Sequence, residues 1–232
     1  MNCCVRTIQN HRSIRAYSGG VEAHDLELIL ESVRRSPSAW NLMPYFVNVV
    51  TDPSVKRKVA EAVGGQSHVA EAPVFLVFAL DFEKVAEAAR MAGVEPARPG
   101  LGHLVEGLVD IGIAVGWAAV TAESLGYGVA FIALYGNPCG VRESLGLPKG
   151  LVPVVGLAIG RPGEEPPLRP RQDRRGLYGE RVPDARDRGA AVAGVYGDRL
   201  PRFMERVVGV GGYIEGVGKR FRECLADAGY VV

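Results

Sequence analysis

Leu26, Ile29, Leu30 and Val33 recur at i, i+3, i+4 and i+7, the spacing of a helix with one apolar face. That helix starts after Val21 and ends before Pro37, which disfavours helical backbone at Ser36. The pattern then changes to "YFVNVVT" (45–51), whose aromatic and β-branched residues predict a strand. Asp52 reads as a helix cap with Pro53 at the first helical position, and Gly64-Gly65 stop that helix. "VFLVFAL" (74–80) is apolar on both alternations and predicts a strand covered on both faces. Residues 81–92 predict a helix, and 93–100, with two prolines, a loop. Residues 101–125 carry the longest helical pattern, apolar nearly all round and therefore central. "GVAFIAL" (128–134) predicts a third buried strand. "VPVVGLAI" (152–159) predicts a fourth, with Pro153 acceptable only at its start or on an edge.

Beyond that strand, "GRPGEEPPLRPRQDRRG" (160–176) is rich in proline and charge and predicts a loop or arm. Weakly periodic helices follow, around 190–196 and 213–228. These elements make an α+β layer, a small sheet packed by helices with a C-terminal helical extension. The expected organisation is a core over 1–160, with 161–232 as arm and helical extension of the same domain.

A chain of 232 residues, 47% hydrophobic and 23% charged, can bury one large core. Its net charge of +1 gives no whole-molecule reason to bind nucleic acid or membrane, so an anion site must be local. Cys3, Cys4, Cys139 and Cys224 lack zinc-ligand spacing, and "MNCCVRTIQN" has no signal-peptide core. The expected address is reducing and cytoplasmic. The apolar tract "GLVDIGIAVGWAAVTA" contains Asp110 and falls short of the roughly 20 residues of a membrane span. His11, His24, His68 and His103 are scattered, so no metal site is expected. GxGxxG between strand and helix, the phosphate loop GxxxxGKS/T and the GxSxG elbow are all missing. Any nicotinamide is therefore held outside a Rossmann crevice.

Four stretches are candidates for chemistry. In "HRSIR" (11–15), Arg12 and Arg15 offer planar bidentate donors and Ser13 a hydroxyl, a local anion site. Alone, it reads first as a solvated turn, since short Arg-Ser strings are common. Arg169, Arg171, Arg174 and Arg175 form a second basic cluster in the arm, where a solvated loop or a nucleic-acid patch are the alternatives. "SPSAWNLMP" (36–44) puts small and amide residues at a helix-to-strand junction, and "GGQSHVAEAP" (64–73) sets Gln66 after two glycines.

The order of these stretches says more than any one of them. HRSIR, SPSAWNLMP, GGQSHVA, ESLGYG, LGLP, VPVVGLAIGRP and LRPR follow one another much as in the nitroreductase superfamily of FMN-dependent enzymes. The chain most resembles the branch of NADPH-dependent flavin reductases and oxygen-insensitive nitroreductases, over about residues 11–171. The resemblance implies a small mixed or antiparallel sheet flanked by helices, and homodimers whose long central helices pack together with two FMN at the interface. It assigns FMN contacts to His11, Arg12, Ser13 and Arg15, and to Ser38, Ala39, Trp40 and Met43 reaching from the other subunit. Gln66 meets the ring edge, backbone at Ile132, Ala133 and Leu134 lies near flavin N5 and O4, and Arg169 and Arg171 meet the phosphate. Hydride passes in ping-pong fashion from NADPH or NADH through FMN to a small acceptor, a nitroaromatic, quinone or free flavin. No side chain is expected to act as acid, base or nucleophile, and no metal, nucleic acid or membrane is implied. A flavin sensor or store on the same fold is the alternative.

Three departures stand out. "ALYGN" has Gly136 where the branch carries an arginine, Trp40 is bulky, and Met43 replaces a common glutamine. With Gly136 in that place, both nicotinamides are expected to serve, NADPH modestly favoured, with Arg199, Arg202 or Arg206 as candidate compensation.

Overall fold

The computed structural model describes residues 3–232, which divide into two compact units, 3–166 with 220–232, and 167–219. In the first unit the chain runs through α1 (Cys3–Gln9), β1 (Tyr17–Gly19), α2 (Ala23–Arg34), β2 (Tyr45–Val50), α3 (Pro53–Ala62), α4 (Ser67–Glu71), β3 (Val74–Leu80), α5 (Glu83–Met91), α6 (Leu101–Ser124), β4 (Gly128–Ala133), α7 (Pro138–Leu145) and β5 (Val152–Pro162). The second unit holds α8 (Ala185–Tyr196) and α9 (Leu200–Val207). In α10 (Tyr213–Asp227), the residues from Arg220 onward count with the first unit.

The local signals act as read. The Asp52 carboxylate accepts the N–H of Ser54 and Val55 at 2.7 and 3.1 Å, capping α3 behind Pro53. The Ser54 hydroxyl, which donates to the same carboxylate at 2.6 Å, and then these two N–H bonds hold the Asp52 carboxyl below its ordinary range. All seven residues of β3 are buried. Val74, Leu76, Phe78 and Leu80 join one core layer with Ile29, Ile111, Ala114 and Ala118 from α2 and α6. Phe75 and Val77 join a second with Val59 and Val141 from α3 and α7.

The sheet is antiparallel at every named strand pair. β5 lies between β3 (Val74↔Ile159, Leu76↔Leu157) and β4 (Val129↔Ile159, Phe131↔Leu157), β2 pairs the far edge of β3, and β1 meets the end of β5 at Tyr17↔Pro162. Pro153 is thus the second residue of a central strand. It is tolerated because the β3 register shifts between Phe78 and Ala79, opposite Val155 and Pro153, so the ladder is broken where proline has no N–H to give.

Two expectations are corrected, and one link is added that the sequence did not suggest. The 101–125 pattern is not buried all round: Leu104, Gly107, Ile111, Ala114, Val115 and Ala118 face the core, while Leu101, Val105, Val109 and Trp117 are 46–67% exposed. Among the described residues only this helix is long and apolar enough to cross a membrane, and its inner face packs on the sheet. The strand at 128–134 ends at Ala133, and its Phe131 is 43% exposed rather than buried. Finally, Cys139 and Cys224 are joined as a disulfide with Cα atoms 5.5 Å apart, tying α7 to α10. A separation of 85 residues gives the sequence no local signal for that pairing.

Candidate functional site

The segment following α1 is held by its one buried residue. Ile14 is 6% exposed, and its N–H donates to the Val129 carbonyl at 2.9 Å. Ser13 bridges Val129 beside it. Gly128 is required there, because a Cβ at that position would lie 2.7 Å from the Ile14 side chain. Pinned at Ile14, the segment exposes its polar groups on both sides. Nδ1 of His11 lies 2.7 Å from the Glu123 carboxylate at the end of α6. Burial pushes the Glu123 carboxyl up, and the imidazole works against that. Arg12 donates from Nη1 to Glu165 at 2.7 Å, and its buried Nε has no hydrogen-bond partner. The successive backbone N–H groups of Arg15 and Ala16 both donate to Oε1 of Glu164, at 2.5 and 3.1 Å. Among the described residues the Arg15 guanidinium hydrogen-bonds only the Ser13 carbonyl, at 3.5 Å.

One guanidinium and two adjacent amides form a concavity suited to an anion, and here the chain lays two of its own carboxylates on them. Arg12, Glu123, Tyr127, Glu164 and Glu165 line a cavity of about 590 Å³ at this place. Arg15 also stands near α4: its charge adds to burial in lowering the basicity of His68. Gln66 precedes α4 and donates from Nε2 to the Val63 carbonyl at 3.0 Å.

The side chains of Ile132 and Leu134 are buried, and Ala133 is part-buried. In the β4–β5 ladder Ile132 faces Gly156 and Ala133 faces Val155. Among the described residues β4 has no other strand partner beyond the Ser13–Val129 bridge, so the rest of that backbone edge is unpaired by any strand.

The 38–43 loop is anchored separately. Asp110, 2% exposed on α6, accepts the Ala39 N–H at 3.1 Å, and its second oxygen is buried without a hydrogen-bond partner among the described residues. Ser38 Oγ accepts the Met43 N–H at 3.1 Å. Trp40, Asn41 and Met43 all have left-handed backbone, with φ of 54, 57 and 47°, at a cost of about 1 kcal/mol or more each. The strain is concentrated in this one loop, with Trp40 86% exposed at its tip. Asp110 and Glu123 stand about 20 Å apart along α6 at 1.5 Å per residue. The loop and the 11–15 segment therefore meet the helix at different levels.

Arg169 and Arg171 lie in the second unit, where they line a cavity of about 820 Å³ with Arg199, Arg202 and Arg206. The rings of Tyr196 and Phe203 stack in its wall with centroids 4.1 Å apart. Sequence reading missed Glu164, Glu165, Asp110 and Arg220. Arg220 donates from Nε to the Gly136 carbonyl at 2.6 Å, so a guanidinium from α10 comes to the backbone where the resembling branch carries an arginine side chain. No local signal marks it, because the partners are 84 residues apart.

Residues 8–161 match the model of the nitroreductase family. The chain is 39% identical over 175 residues to the FMN reductase [NAD(P)H] of Bacillus subtilis, covering 74% of this chain and 70% of that protein. It is 33% identical over 174 residues to the oxygen-insensitive NADPH nitroreductase of Salmonella typhimurium, with the same coverage. Among solved structures, the hypothetical oxidoreductase YcnD from Bacillus subtilis superposes with a TM-score of 0.86 at 30% identity, covering 100% of this chain and 99% of that one.

Proposed function

Because this chain belongs to the nitroreductase family, we propose that it is an FMN-dependent oxidoreductase. It draws hydride from NADPH or NADH and passes it to a nitroaromatic, a quinone or free flavin. The observation that carries the reading is the donor set of the 12–16 segment. Its guanidinium and paired amides already bind carboxylates in the structure, so they fit the phosphate monoester of FMN. Bound FMN supplies a ring that accepts hydride from one partner and gives it to the next.

The protein's part is to bind and orient. Arg12, Ser13 and Arg15 hold the phosphate, with His11 kept in place by Glu123. Gln66 and the open backbone edge at 132–134 set the direction of the ring. Arg169 and Arg171 keep the phosphate-binding role that motif order gives them. No side chain is assigned a proton transfer. A dimer completes the arrangement. The exposed stripe of Leu101, Val105, Val109 and Trp117 is an apolar face that a second copy covers, and the 38–43 loop then serves the partner's flavin. The working address is the cytoplasm, where the nicotinamide pool lies. The disulfide, with Cys224 1% exposed and Cys139 part-buried, runs against that address.

The deciding experiment is turnover. The purified protein is expected to be yellow, to release FMN on heating, and to oxidise NADPH or NADH continuously when a quinone is supplied. Flavin bound without turnover would select the sensor or store. A second expectation concerns Arg15, whose guanidinium has only a 3.5 Å contact to give up. A charge-assisted bond is worth roughly 1.5–3 kcal/mol, so Arg15→Ala is expected to raise the Kd for FMN about tenfold or more. Quenching of flavin fluorescence measures it, and an unchanged Kd removes Arg15 from the phosphate site. The same titration on Arg169→Ala and Arg171→Ala tests those two.

A further inference from the structure

We propose that Glu164 and Glu165 form an internal anion that competes with the flavin phosphate for its donors, so that this chain binds FMN as an exchangeable cofactor. The inference rests on the flavin reading of the 12–16 segment.

Both carboxylates sit on the donors that a phosphate needs. Glu164 takes the two adjacent N–H groups of Arg15 and Ala16 through a single oxygen, at 2.5 and 3.1 Å, and Glu165 takes the Arg12 guanidinium at 2.7 Å. A phosphate monoester carries up to two negative charges on three oxygens. Two neighbouring carboxylates reproduce that charge and divide the same donors between them. Their placement is built into the backbone. Gly163 donates its N–H to the Ala16 carbonyl at 2.8 Å, and a Cβ on Gly163 would press on the backbone of Ala16, Tyr17 and Ser18 at 3.1–3.2 Å. The next two residues therefore emerge beside the donors, ahead of Pro166.

The contact is also reversible. The Glu165 side chain is 84% exposed and can turn into water at little cost. Phosphate entry must displace both carboxylates, which lowers net affinity. As FMN leaves, the carboxylates return to the vacated donors, which eases release. A carboxylate in water gives up far less than a phosphate gains, so FMN wins the competition at sufficient concentration.

The test is a titration of flavin-stripped protein, wild type against Glu164→Gln, Glu165→Gln and the double variant, with FMN and with riboflavin as ligands. Glutamine keeps the shape and removes the charge-assisted part of each bond, roughly half its strength. The double variant is expected to bind FMN about tenfold more tightly and riboflavin, which has no phosphate, unchanged. Inorganic phosphate is expected to protect the double variant from thermal unfolding at lower concentration than it does the wild type. Glu71→Gln is the control. Its carboxylate acts on Tyr17 and His68 alongside Glu164, and it bonds to none of these donors. An equal gain from Glu71→Gln would show general charge rather than competition and overturn the proposal. Unchanged FMN affinity in the double variant overturns it while leaving the flavin reading intact. If folded wild type and variants all fail to bind FMN, the flavin reading falls and the competition with it.

Discussion

Replacing Val109 by glutamate is expected to turn the molecule into a monomer that no longer retains flavin. Val109 is 56% exposed in the middle of the outer stripe of α6, between Val105 at 55% and Trp117 at 46%. Gly112 interrupts the stripe, and a Cβ there would meet nothing within 4 Å, so a second helix has room to come close. In the proposed dimer, a two-fold axis would bring Val109 against its own copy or an equally apolar neighbour. A carboxylate buried there without a partner costs about 3–5 kcal/mol, which weakens association roughly a hundredfold to several thousandfold. Asp110 ties the 38–43 loop to the same stretch of helix, so on the proposed arrangement the flavin is expected to lose the partner's loop together with the dimer. Sedimentation velocity and the flavin absorbance left after gel filtration read both effects. A Val109→Glu protein that stays dimeric would place the interface on another face. Val109→Ala, which keeps the surface apolar, is expected to remain a dimer.

The largest expected loss of stability comes from Gly156→Val. Gly156 lies mid-strand in β5, opposite Val77 on one side and Ile132 on the other. A Cβ there would fall 2.3 Å from Cζ of Phe75 and 2.7 Å from its Cε2. Phe75 is fully buried in the second core layer, so its ring has no free space to retreat into. Overpacking of this kind costs about 3 kcal/mol, or a fall in Tm of about 6–12 °C for a chain of this size. Phe75→Leu shortens the opposing side chain. In the background of Gly156→Val it is expected to recover part of the loss, although alone it destabilises. Thermal melts of the two single variants and the double variant measure the coupling, and strictly additive losses would mean that the ring moves aside freely.

The two residues illustrate what sequence can and cannot carry. A glycine inside an apolar strand pattern signals close approach, and "VPVVGLAI" shows that signal at Gly156, but nothing in the pattern names Phe75 as the group approaching. Likewise β3 is legible because apolar residues on both alternations require two covering layers, and α3 because Asp52 and Pro53 act within one turn. Periodicity could not divide α6 into core face and outer stripe, since both are apolar. The same holds at the site. HRSIR taken alone reads first as a solvated turn, and it becomes legible as an anion-binding segment only through its order among the other stretches. Its occupants are not legible even then, because Glu164 meets Arg15 across 149 residues. Asp110 appeared only as a charge interrupting an apolar tract. Its work in holding Ala39 depends on a contact across 71 residues.

The bridge between Cys139 and Cys224 has a topological consequence. It closes the main chain into a covalent ring, and the whole second unit, 167–219, lies on that ring. A peptide bond cut anywhere within 167–219 opens the ring without dividing the molecule. The N-terminal piece carries Cys139 and the C-terminal piece Cys224, so the two travel together on a denaturing gel until a reductant is added. The arginine-rich second unit can therefore be nicked while the last turns of α10, with Arg220 on Gly136, stay fastened to α7.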